Sequence, residues 1–209
     1  MNTIRRLARN TLASLIYQIA TPLSSFVLIY FIAKYMGVGG LGQFSSGLSL
    51  LFIFQSIACL GFPYLITREV SRDKSCSWNM LVNSLFIGLI FSSFTVVIMC
   101  YSINVITDNL ETIQASYVLS FALVPITLSS ICESICRAHE KVEYVAIASI
   151  IGNGLRVLFG IFVLLRGYDL YYLNIVVASS YIPIFILNLY FSFKCIPDSK
   201  MKKFKIDLS

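Results

Sequence analysis

Residues 144 to 165 read YVAIASIIGNGLRVLFGIFVLL, an apolar run with one arginine, Arg156, inside it. A bilayer core of ~30 Å is crossed by about 20 mostly apolar residues in a helix, which satisfies its own backbone hydrogen bonds. This stretch meets that requirement, and five more runs of the same kind surround it, at 12–33, 44–66, 80–101, 117–136 and 173–193. The expected fold class is therefore all-α integral membrane, with six transmembrane helices. Composition agrees. The chain is 57% hydrophobic and only 12% charged, with a mean hydropathy of +0.82, whereas a soluble domain carries about 25% charged residues. It cannot coat a water-facing surface, which excludes soluble enzymes, disordered chains and collagen-like chains.

Orientation follows from lysine and arginine in the connections. One side receives thirteen: Arg5, Arg6, Arg9, Arg68, Arg72, Lys74, Arg137, Lys141, Lys194, Lys200, Lys202, Lys203 and Lys205. The other receives two, Lys34 and Arg166. Both termini are thus expected in the cytoplasm, and the +6 net charge reads as topological bias rather than as a nucleic-acid footprint. The basic start with its apolar run is too long for a signal peptide and lacks a cleavage site, so it is read as an uncleaved first span. None of Cys59, Cys76, Cys100, Cys132, Cys136 and Cys195 falls in a long external loop, which argues against a disulfide framework. Two regions are expected: a membrane lobe at 1–193 and a basic cytoplasmic tail at 194–209.

Several polar residues interrupt the apolar spans. Thr11, Ser14, Gln18, Thr21 and Ser25 form a stripe on the first, and Ser45, Ser49, Ser56 and Cys59 form one on the second. Such stripes face either neighbouring helices or a wet cavity. Arg156 lies ~18 Å along the fifth span, counting from Tyr144 at 1.5 Å per residue. Placing it there costs roughly 3 kcal/mol on insertion scales, and it is too deep to snorkel. Ser149, Asn153 and Gly160 share its face. It reads either as a clamp between helices or as a cation presented to an anionic ligand. Glu133 stands four residues before Arg137, the favourable order for an ion pair. Cys132, Cys136 and His139 share a face, but three ligands without a fourth make a weak metal signal. Phosphate-binding glycine loops, catalytic triads and zinc-protease motifs are missing, and one histidine with few acids leaves little for acid–base catalysis. No enzyme activity and no cofactor is expected.

Four segments carry a family resemblance. Ala33-Lys34-Tyr35-Met36-Gly37 with Gly42-Gln43-Phe44 ends the first span. Leu60-Gly61-Phe62-Pro63 with Thr67-Arg68-Glu69-Val70-Ser71 ends the second. Arg137-Ala138-His139-Glu140-Lys141-Val142-Glu143-Tyr144 joins the fourth to the fifth, and a basic tail closes the chain. In that order they resemble the N-terminal half of polysaccharide exporters of the Wzx or O-antigen flippase type, in the multidrug/oligosaccharidyl-lipid/polysaccharide superfamily. The resemblance implies one six-helix lobe of a two-lobe transporter that carries a lipid-linked oligosaccharide across the cell membrane. It also implies that cavity cations hold the diphosphate of an undecaprenyl carrier, with Arg156 and Lys34 the candidates. Asn153, Gln18, Thr21 and Ser49 complete the candidate substrate-binding set. Family members have about twice as many spans, so a second lobe or glycan-assembly proteins are the expected partners. On this reading Arg156 faces the open side of the lobe. Half of a multidrug exporter, or a nontransporting partner of glycan assembly, are the rival readings.

Overall fold

The computed structural model describes residues 3–196, with side chains from Thr11 onward except at Ala13. The expected tail beyond Ile196, and the side chains of Arg5, Arg6 and Arg9, lie outside the described residues. Seven α-helices follow one another: α1 Thr3–Cys59, α2 Phe62–Arg72, α3 Ser77–Ile106, α4 Leu110–Ser120, α5 Leu123–Ala138, α6 Val142–Leu165 and α7 Leu170–Cys195. A single 3-10 turn, Lys74–Cys76, precedes α3.

Membrane crossings and helices do not correspond one to one. Helix α1 bends at Gly37, whose φ of 71° and ψ of −172° are not helical, so its two arms are two separate spans. That backbone region is open almost only to glycine. Helices α4 and α5 share a single span, interrupted at Phe121 and Ala122. Pro125 explains the break, because its ring crowds the carbonyl of residue 121 and it cannot donate to that oxygen. With α3, α6 and α7 this makes six apolar crossings, as the sequence predicts.

One expectation needs correction. The second span was expected to continue to Ile66, but α1 ends at Cys59. Leu60 and Gly61 then turn the chain with φ of 43° and 77°, and Pro63 opens a new helix, a position where its missing N–H costs nothing. Residues 62–66 belong to α2, which buries Ile66 and Val70 while leaving Tyr64, Leu65, Arg68 and Arg72 exposed. A short amphipathic helix with this division lies in the membrane interface rather than across the membrane. The last helix also runs to Cys195, past the expected end at Phe193.

Packing fixes the bundle at both ends. At one end, α2, α3, α5, α6 and α7 bury Ile66, Leu81, Ile135, Val145 and Cys195 together. At the other, both arms of α1 meet α4, α6 and α7 around Leu28, Phe44, Leu119, Leu164 and Leu173. Small residues allow close approach between helices: the backbone of Gly152 lies directly against Ile184 of α7. The turn after α5 is closed by Glu140 N–H to Arg137 O (2.9 Å) and Lys141 N–H to Cys136 O (2.9 Å). This is a Schellman cap with a non-glycine residue, Glu140, at φ 57°.

Candidate functional site

Arg156 occupies the middle of α6 and is 8% exposed. It is held by neutral groups from two other helices: Nη2 donates to Ser25 Oγ of α1 (3.1 Å) and Nη1 to Tyr181 Oη of α7 (3.3 Å). Its Nε–H is buried and has no partner. One turn earlier, Asn153 Nδ2 donates to Thr21 Oγ1 (3.4 Å). These residues line a cavity of about 250 Å³ together with Tyr17, Gln55, Ser129, Ser149 and Glu133. Arg156 is thus packed among helices of the lobe rather than turned toward lipid. Its polar face turns inward, where hydroxyls can solvate the charge that lipid could not.

A second cavity of about 830 Å³ adjoins the first, since Phe52, Gln55, Ser130 and Glu133 line both. Arg68, Ser71, Thr67, Ser134 and Arg137 surround its outer part. The two cavities therefore lie side by side between the basic end of the bundle and Arg156. Glu133 stands at the junction. One carboxylate oxygen faces Arg137 Nη2 at 3.4 Å, and the other accepts from Asn188 Nδ2 at 3.1 Å. The same amide nitrogen donates to Ser129 Oγ at 2.8 Å.

The structure divides the residues expected to bind substrate. Arg156, Asn153 and Thr21 come together in the inner cavity. Gln18 is exposed and donates to Ser14 Oγ (3.0 Å). Ser49 is also exposed, its hydroxyl turned to Ser45 O (2.9 Å). Lys34 lies beside the bend of α1 at the opposite end of the bundle, its Nζ 5.6 Å from the Tyr35 ring centroid. Of the second-span stripe, Ser56 and Cys59 line the outer cavity, while Ser45 and Ser49 line neither cavity. The possible metal cluster separates: His139 Nε2 lies 3.0 Å from Ser77 Oγ, and Cys136 Sγ lies 3.8 Å from Cys195 Sγ. Among the described residues no three potential ligands converge.

Sequence reasoning missed the contribution of α7. Asn174, Tyr181 and Asn188 recur every seven residues, which places them on one helical stripe. All three reach across to other helices: Asn174 to Ala115 O, Tyr181 to Arg156 and Asn188 to Ser129 and Glu133. That period was the available signal.

The structure is similar to a MOP superfamily transporter from Pyrococcus furiosus, with a TM-score of 0.66 at 15% sequence identity. That transporter is described as having a binding pocket of reverse polarity that suggests a different function. The match covers 97% of this chain and 47% of that one, so the chain spans about half the length of the solved transporter. This defines the class: an all-α membrane protein with the MOP transporter fold. The family model for polysaccharide biosynthesis protein matches residues 7–208, and the chain belongs to that family. Among curated proteins no match was found.

Proposed function

We propose that the chain forms the N-terminal lobe of a flippase in the cell membrane. It would carry undecaprenyl-diphosphate-linked oligosaccharide, of the O-antigen kind, from the cytoplasmic to the outer face. The observation that carries this reading is Arg156, a buried guanidinium held only by neutral hydroxyls and keeping an unused Nε–H. A diphosphate would complete it. The planar fork donates paired hydrogen bonds to phosphate oxygens and stays charged at any physiological pH. Charge-assisted bonds of this kind outweigh those to Ser25 and Tyr181.

The lipid-linked head group would enter at the basic end, past Arg68 and Arg137, and pass Glu133 to reach Arg156. Glu133 is paired with Arg137 and Asn188, so its charge is offset where the head group would pass. Such a lobe acts by rocking against a second one, and the second six-helix lobe and glycan-assembly proteins are the partners this reading requires. The chemistry is binding and movement, not bond-making. The multidrug-exporter alternative needs a carboxylate open to a cationic drug. Glu133 is the acid that lines the two adjoining cavities around Arg156, and its pairing with Arg137 speaks against that role there.

The test is surface glycan display in cells whose export depends on this sequence in its full transporter context. Arg156→Ala should abolish display while the protein still accumulates in the membrane, and Arg156→Lys should keep part of it. Full display by the alanine variant would overturn the reading. Restoration of dye efflux instead of glycan display would favour the multidrug exporter.

A further inference from the structure

At the end of the bundle opposite Arg68 and Arg137, three reversals of the chain meet: the bend of α1, the start of α4 and the turn from α6 into α7. They enclose a cleft of about 480 Å³, within the roughly 300–1,000 Å³ typical of small-molecule sites. Three tyrosines line it, Tyr35, Tyr168 and Tyr171, each between 42% and 49% exposed. Four hydrogen-bonding side chains line it as well: Gln43, Glu111, Gln114 and Asp169.

None of these four is committed elsewhere. Among the described residues, their side chains have no hydrogen bond or ion pair. Asp169 shows this most clearly, because it occupies the N-cap position of α7 yet its carboxylate makes no cap bond. An aspartate there ordinarily accepts from the helix's first free N–H groups. The tyrosines are braced from behind rather than spent on one another: Tyr35 stacks on Phe31 (centroids 6.2 Å apart, planes 2° apart), and Tyr168 and Tyr171 both rest against Tyr172. The two cations at this end rest on aromatic rings, Lys34 on Tyr35 and Arg166 on Phe162.

We propose that this cleft is a saccharide-binding site, the station at which the glycan part of the ligand is held. The chemistry suits sugars. Braced aromatic faces take the apolar C–H face of a pyranose ring, and carboxylates and carboxamides accept from and donate to its rim of hydroxyls. The opposite polarity of the two ends matches a two-part ligand: cations and hydroxyls around Arg156 for phosphate, and acids, amides and tyrosines at the far end for a neutral or amino sugar. The assignment rests on the reading that the family's glycan is the cargo, but the binding itself requires no transport.

The experiment is saturation-transfer NMR on the full chain in lipid nanodiscs, with maltopentaose and chitopentaose as probes and glycerol as the control. The expected result is transfer from protein to at least one oligosaccharide and none to glycerol. Tyr168→Ala, and Glu111→Gln with Asp169→Asn, should each reduce that transfer at least fivefold. Tyr101→Ala, an exposed tyrosine outside the cleft, should leave it unchanged, and size-exclusion profiles report whether each variant still folds. The absence of transfer to either sugar, or equal transfer in all variants, overturns the proposal and leaves these tyrosines as interfacial anchors. Calcium binding that is lost with Glu111→Gln and Asp169→Asn, without saccharide transfer, also overturns it in favour of a cation site. Loss of glycan display in Arg156→Ala with sugar binding intact would separate failure here from failure of the phosphate reading.

Discussion

Arg156 and Gly152 lie one helical turn apart on α6, and each shows what a single position demands of the bundle. Arg156 needs hydroxyls from α1 and α7, so those helices must come close. Gly152 lets α7 come close, because any Cβ there would collide with Ile184. A β-branched side chain such as Ile184 has little rotamer freedom to move aside. Gly152→Ala should therefore destabilise the folded protein by about 1–3 kcal/mol, the usual cost of overpacking. Thermal unfolding followed by size exclusion would show it, and adding Ile184→Ala should recover part of the loss. Equal stability of wild type and Gly152→Ala would mean that α7 is free to shift. Arg156 was legible in the sequence because an intramembrane charge is costly wherever it points. Its partners were not, because Ser25 and Tyr181 lie 131 and 25 positions away, and only the packing of three helices reveals them.

Among the elements, the bend of α1 and the separate helix α2 most affect function. The bend divides one continuous apolar segment into two crossings, and it turns on the backbone of Gly37. Alanine there would be forced into a region that costs about 1–3 kcal/mol. Gly37→Ala should lower the unfolding temperature clearly. Gly39→Ala, in helical backbone with open space around it, should not lower it. If the two variants behave alike, the bend is not set by Gly37. The glycine-bearing motif was visible in the sequence, but the conformation it serves was not. The end of α1 misled for a definite reason: residues 60–66 are as apolar as the span before them, so hydropathy alone runs on through the turn at Leu60 and Gly61. Pro63 two positions later was the better guide, since proline favours the first turn of a new helix. Helix α2 then carries Arg68 to the mouth of the outer cavity, where a second span continued to Ile66 would not have placed it.

Across the whole molecule, six crossings bring the basic connections to one end and the tyrosine-lined cleft to the other. Charge bias in the connections had predicted this segregation, because it depends on side-chain counts rather than on packing. Reporter fusions after Asp108 and after Lys203 should read outside and inside respectively, and the same reading from both would reverse the direction of the proposed path. The cavity itself could not be foreseen, since it is built by α1, α5, α6 and α7 together and no single span encodes it. On the proposed reading, its central property is a cation that can take a phosphate, Arg156 in the middle of α6. The most direct measurement is the binding of inorganic pyrophosphate and of a short-chain prenyl diphosphate to the purified chain in nanodiscs, by titration calorimetry. The account predicts that the prenyl diphosphate binds and that Arg156→Gln weakens it about tenfold or more, the loss of charge-assisted hydrogen bonds worth roughly 1.5–3 kcal/mol. Equal affinity of wild type and Arg156→Gln, with both proteins folded, would contradict it.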